Sequence, residues 1–223
     1  MSAPQPSGDP ARAEVMERIR RGLRDRPAVP EIPATAGLRP VLDAAELLEL
    51  FAERVAEYRA TVRRSSAAGL PAAVAAILAG WGAKRVVVPA GVPGEWLSVA
   101  AVEQAADVPP LSVDTLDALD GVITGCAVGI AETGTIVLDG GSAQGRRALS
   151  LLPDRHLCVI RADQIVQDVP EALARLDPRR PMTWISGPSA TSDIELQRVE
   201  GVHGPRVLDV VIVEADEAAA GAS

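Results

Sequence analysis

Side chains capable of chemistry gather in two glycine-framed stretches, residues 124–135 and 187–206. The first reads Thr124-Gly125-Cys126-Ala127-Val128-Gly129-Ile130-Ala131-Glu132-Thr133-Gly134-Thr135, so glycines, hydroxyls and one carboxylate interrupt apolar strand material that needs none of them. Glycine admits positive φ and close backbone approach. Gly134, between Thr133 and Thr135, can therefore present amides and hydroxyls to a carboxylate or phosphate. The stretch is no P-loop, because Gly-Lys-Ser/Thr is absent, and it lacks the dinucleotide Gly-x-Gly-x-x-Gly spacing. Glu132 stands among apolar neighbours, where partial burial would raise its pKa and suit it to act as general base or carboxylate nucleophile. A turn carboxylate accepting local amides is the plainer reading of the same residue. Cys126 has no histidine close in sequence and reads as a packed thiol.

The second stretch begins Gly187-Pro188-Ser189-Ala190-Thr191-Ser192-Asp193-Ile194-Glu195 and follows strand material at 183–186. A loop there lies at the carboxyl end of a strand and leads into a short helix, which is where open α/β sheets bind ligands. Ser189, Thr191 and the helix-start amides can hold an anion, while Asp193 and Glu195 can orient basic groups. Ordinary helix capping by Ser189 or Ser192 explains the same residues. Next come Gly201-Val202-His203-Gly204-Pro205-Arg206: His203 can exchange a proton near neutrality and Arg206 can clasp a carboxylate through two hydrogen bonds. The competing reading makes Arg206 an ion-pair partner of Asp193 or Glu195 and His203 a turn residue. His156, at the edge of a strand candidate, reads as structural.

These loops need a scaffold, and periodicity supplies one. Residues 11–24 place Val15, Ile19 and Leu23 on one helical face, as in an arm able to dock. Pro27, Pro30, Pro33 and Pro40 exclude continued helix, so residues 1–40 read as a helical arm and proline-rich linker. Asp43 and Glu46 form a capping box before a helix with the apolar stripe Leu47, Leu50, Phe51 and Val55, expected to reach Val62. An alanine-rich helix over 70–79 precedes a β-branched strand over 85–88. Further strands are expected at 121–123, 129–131, 135–138, 157–160, 183–186 and 207–213, with helix over 163–176 and a hairpin turning around 132–135. Short apolar strands interleaved with helices predict an α/β domain over 41–215, built on a mainly parallel sheet flanked by helices; 216–223 reads as a disordered tail.

Composition narrows the partners. Thirty acidic against 22 basic residues give a net charge of −8, which opposes general attraction to nucleic acid or anionic membranes. Aromatic residues make up only 2%, too few for base-stacking platforms. The longest apolar runs are about half of the roughly 20 residues a bilayer span needs, and the N-terminus lacks secretory-signal character, so a cytoplasmic protein is expected. Two cysteines without a Cys-x-x-Cys pair hold no iron–sulfur cluster or zinc, and no cofactor is expected on this chain.

Taken together, Thr124-Gly125-Cys126, Ala131-Glu132-Thr133-Gly134-Thr135, Gly187-Pro188-Ser189, Asp193-Ile194-Glu195 and Gly201-Val202-His203-Gly204-Pro205-Arg206 resemble the LUD domain family in order and spacing over residues 120–213. The resemblance implies a fold like the sugar-phosphate isomerase and coenzyme A transferase superfamily. It also implies participation in oxidising L-lactate to pyruvate, alongside iron–sulfur partner subunits of lactate utilisation that carry the redox equipment. In relatives of that superfamily a glutamate in a glycine-bearing loop transfers protons or acyl groups, and Glu132 is similar in setting. One departure is Ala190, which stands where the family commonly has arginine. Three functions follow as expectations. The first is an accessory component that binds a small carboxylate or partner subunits through Thr124, Gly125, Thr133, Gly134, Thr135, Gly187, Ser189, Asp193, His203 and Arg206. The second is a free-standing isomerase or acyl-transfer enzyme using Glu132, and the third an interaction module docking through its N-terminal arm.

Overall fold

In the computed structural model, residues 10–24, 40–192, 198–200 and 204–214 are described. The expected linker, tail, Asp193 and His203 lie outside them. Residues 1–40 and 41–223 form separate units. The described part of the first is helix α1 (Pro10–Gly22), none of whose residues is buried.

Within the second unit, Asp43 caps helix α2 (Ala44–Glu57) through the expected box, its side chain accepting from the Ala45 and Glu46 amides while Glu46 reaches back to the Asp43 amide. The helix stops well before Val62 because Arg59 adopts φ 68°, which a helix cannot carry. The chain then enters strand β1 (Thr61–Ser66), a polar edge strand. Helix α3 (Leu70–Trp81) ends on left-handed Gly82, and strands β2 (Arg85–Val88) and β3 (Glu103–Ala106) follow. After the short helix α4 (Val113–Asp117) come strands β4 (Gly121–Thr124), β5 (Val128–Ile130), β6 (Thr135–Leu138) and β7 (Arg155–Arg161). The helix expected over 163–176 shrinks to α5 (Val169–Arg175). A 3-10 turn (Ala162–Gln164) and the two-residue strand β8 (Ile165–Val166) occupy its first part, because pairing with β5 captures that backbone. Strand β9 (Thr183–Ile185) is followed by a second correction: the short helix expected after Ser189 is instead a ribbon of β10 (Ala190–Ser192) and β11 (Arg198–Glu200), paired antiparallel. Strand β12 (Val207–Glu214) ends the fold.

The main sheet has the order β1-β12-β7-β4-β2-β3, and each of its pairings is parallel. A second sheet, β8-β5-β6-β9, is mixed: β5 and β6 form the expected hairpin, β6 pairs antiparallel with β9, and β5 pairs parallel with β8. The molecule is thus α/β, with the parallel sheet buried on both faces. Leu157, Val159, Val211 and Val213 pack with α3 residues Leu70, Val74, Ile77 and Leu78 on one side. Alternate residues Cys158, Ile160, Val210 and Ile212 meet α2 residues Phe51 and Val55, together with Ile136 and Leu138 of the second sheet, on the other. Continuous apolar runs in β7 and β12 follow from this double coverage.

Candidate functional site

The carboxyl end of β4 brings Thr124 beside β7, where Val122 pairs with His156 and Thr124 with Cys158. Thr124 and His156 are both buried, and Thr124 Oγ1 lies 2.7 Å from His156 Nε2. The other ring nitrogen, Nδ1, is buried without a hydrogen-bond partner among the described residues. Burial lowers the His156 pKa to about 4, because charging the ring would strip it of water with no carboxylate to compensate. His156 is therefore neutral at pH 7, with Nδ1 a donor or an acceptor according to tautomer.

His156 lines a cavity of about 230 Å³ whose wall also includes Ser150, Ser186, Gly187, Ser189 and Gly204. The second polar stretch supplies part of this wall, and the first reaches it through hydrogen bonds to His156 and Ser186. A hydroxyl chain runs from Thr133 Oγ1 to Thr135 Oγ1 (2.7 Å) and on to Ser186 Oγ (2.8 Å) on the cavity wall. The loop is closed by the Ser189 amide, which donates to the Pro205 carbonyl at 2.7 Å. Gly187, at φ 86°, faces Tyr58, and an added Cβ would fall 2.5 Å from the Tyr58 Cβ. Gly134, at φ 57°, abuts the Arg54 backbone with no more room, a Cβ there meeting the Arg54 carbonyl carbon at 2.6 Å. Both glycines thus let their loops dock on the last turn of α2.

The remaining expected residues sit elsewhere. Gly125 is buried and donates to the Ala143 carbonyl. Glu132 is exposed, so the partial burial expected from its apolar neighbours is not found: the turn after β5 points its side chain outward, while its amide donates to the Gln167 carbonyl. It is not among the lining residues of the His156 cavity. Arg206 pairs with Asp154 at 3.1 Å on the surface, both side chains about 60% exposed; Asp193, Glu195 and His203 lie outside the described residues. Cys126 and Cys158 are buried free thiols. Their mutual contact, reinforced by burial, raises the Cys126 pKa well above the usual thiol range, as expected of a packed cysteine. No group of His, Cys, Asp and Glu among the described residues could hold a metal ion, and no helix there is long and apolar enough to cross a membrane.

The LUD domain model matches residues 114–213, a span that contains Thr124, His156 and the whole cavity wall. Lactate utilization protein C of Deinococcus radiodurans is 51% identical over 214 residues, covering 93% of this chain and 98% of that protein. The chain belongs to the LUD domain family. A second relative of this LUD domain, lactate utilization protein C of Geobacillus sp. (strain WCH70), is 31% identical over 110 residues, 46% of this chain and 45% of that protein. The crystal structure of a DUF162 family protein from Deinococcus radiodurans is similar to this chain with a TM-score of 0.68 and 48% identity, covering 78% of this chain and 99% of the other. Sequence reasoning reads His156 as structural, which its burial and its bond to Thr124 fit, but does not place it on the cavity wall. The available signal was a polar ring at the start of an otherwise apolar strand run, Leu157-Cys158-Val159-Ile160, whose partner Thr124 lies on a strand adjacent only in space.

Proposed function

We propose that this chain is the non-redox component of a cytoplasmic system oxidising L-lactate to pyruvate, and that it binds a small hydroxy or keto acid in the His156 cavity. The observation that carries the reading is that His156, whose buried Nδ1 has no hydrogen-bond partner among the described residues, lines a small cavity together with the hydroxyls of Ser150, Thr183, Ser186 and Ser189. A buried polar atom without a partner is costly unless something satisfies it, and a hydroxyl or carboxyl group of a three-carbon acid would do so. Its neutrality suits a hydrogen bond to the ligand rather than a fixed ion pair. Ser186 and Ser189 would take the remaining polar atoms. The name of the 51%-identical relative supports the choice of lactate. Electron transfer would fall to iron–sulfur partner subunits, this chain bringing no cofactor of its own. A fold of the sugar-phosphate isomerase and coenzyme A transferase type goes with this reading, the parallel sheet being its support.

The test measures L-lactate-dependent dye reduction with the chain alone, with its iron–sulfur partners, and with His156→Gln in the complete system, beside calorimetric titration of L-lactate and pyruvate. Activity only in the complete system, and weakened ligand binding in His156→Gln, are expected. Turnover by the chain alone would move the assignment to a free-standing enzyme, with Glu132→Gln the next variant. Unchanged binding in His156→Gln would remove the ligand from this cavity.

A further inference from the structure

A second cavity, of about 520 Å³, lies on the loop that follows β6, and its wall includes Gly141, Ser142, Arg146, Arg147 and Arg180, with Asp139 as its one carboxylate. Three arginines around one space are unexpected in a chain of net charge −8. Two of them are occupied. Arg146 grips Asp107 through Nε at 2.7 Å and Nη2 at 2.9 Å and also donates to the Leu111 carbonyl, while Arg180 pairs with Asp139. The Arg147 carbonyl accepts from Ser150 Oγ, but its guanidinium has no hydrogen-bond or ion-pair partner among the described residues; the residue is exposed and lines the cavity. The loop itself is fixed: Asp139 Oδ1 accepts from the Gly141 amide, Gln144 Oε1 accepts from the Asp139 amide, and Gly145 turns at φ 67° where a Cβ would fall 2.6 Å from Leu149 Cδ1. Arg147 is thereby held beside Arg146 and Arg180 without an acid of its own.

We propose that this cavity binds a doubly charged oxyanion, the phosphoryl or polycarboxylate end of a ligand larger than a three-carbon acid. Arg147 is its ion-pair partner, and Arg180 is shared between the anion and Asp139. A guanidinium pairs bidentately with either kind of oxyanion, and with Arg146 neutralised by Asp107 the cavity offers an anion Arg147 whole and Arg180 in part, its charge shared with Asp139. The volume, more than twice that of the His156 cavity, leaves room for the rest of the ligand. The two cavities share Ser150 and Thr183 as common wall, so a ligand anchored at Arg147 would reach toward His156.

The experiment is calorimetric titration of the full chain, at constant ionic strength, with pyrophosphate as the phosphoryl probe, citrate as the polycarboxylate probe and acetate as the singly charged control. Saturable binding of pyrophosphate or citrate is expected, the tighter probe naming the source, with acetate at least about tenfold weaker. Arg147→Gln should lose about tenfold in affinity for that probe with an unchanged thermal midpoint in its absence. Arg161→Gln, which removes a surface arginine paired with Asp163, should bind as the parent does. Absence of saturable binding by both multiply charged probes, equal binding of acetate, or parental affinity in Arg147→Gln would overturn the proposal. His156→Gln should leave this binding intact, so failure here and failure of the lactate assignment are separable.

Discussion

Thr124 is the one described residue that hydrogen-bonds the His156 ring, and so it decides which nitrogen is left over. Thr124→Val keeps the shape of the side chain and removes the hydroxyl, stranding both ring nitrogens in the core. The expected cost is about 1–3 kcal/mol of stability, read as a lower urea midpoint with unchanged slope. Thr124→Ser, which restores the hydroxyl, should recover most of it. An equal loss in both variants would point to packing of the threonine methyl instead. At this scale the sequence was partly legible. Thr124, Thr133 and Thr135 stand out because hydroxyls interrupt apolar strand material, and the structure ties each of them, directly or through a neighbour, to the cavity wall or to the histidine beside it. His156 reads as structural from the sequence, and its burial against Thr124 agrees; that it also lines a cavity depends on neighbours across the sheet, which the sequence does not name.

The hairpin turn after β5 and the loop after β9 are both seated on the last turn of α2, and glycine makes each approach possible. Gly134→Ala combines positive φ with a backbone collision and is expected to cost about 1–3 kcal/mol. Gly80→Ala is the matched control. It lies in the last turn of α3 with nothing within 4 Å of an added Cβ, so it should be neutral or stabilising by up to about 1 kcal/mol. Chemical denaturation of both variants checks the pair; equal effects would mean that the turn gives way cheaply. Elements with strong local signals were readable, among them the Asp43 capping box and the strands at 85–88 and 135–138. Polar or very short strands were not: β1 reads Thr-Val-Arg-Arg-Ser-Ser, and β8 is two residues long. Both exist because a neighbouring strand offers a ladder, which no local propensity encodes.

For the molecule as a whole, His156 couples folding to pH. In the unfolded chain its pKa is 6.5, whereas the folded protein keeps it neutral down to about 4. Between those values the unfolded state takes up a proton that the folded state refuses, so stability falls as pH falls from 6.5 and the loss is complete below about 4. The contribution is about 3 kcal/mol over the interval. Asp209, whose carboxyl pKa is pushed up by burial, works in the opposite sense, so the comparison with His156→Gln is the readout rather than the raw slope. Thermal melts from pH 7 to pH 4 should give a flatter dependence in the variant. Parallel curves would show that His156 is already charged in the folded protein, and the account of the cavity would fail with it.

The sequence by itself determined the α/β class, the helix α2 cap, most strands of the parallel sheet and the two polar stretches, because periodicity, capping chemistry and glycine placement act between residues a few positions apart. Only the tertiary structure decided which of those residues share a surface. Hairpin and sheet pairing join Thr135 to Ser186, parallel pairing sets Thr124 beside His156, and the loop after β6 collects Arg146, Arg147 and Arg180 around one space. Glu132, conspicuous in the sequence, was turned outward by the same hairpin that brought its neighbours in. Burial and juxtaposition depend on strand order, and strand order is a property of long-range pairing that no short window of sequence contains.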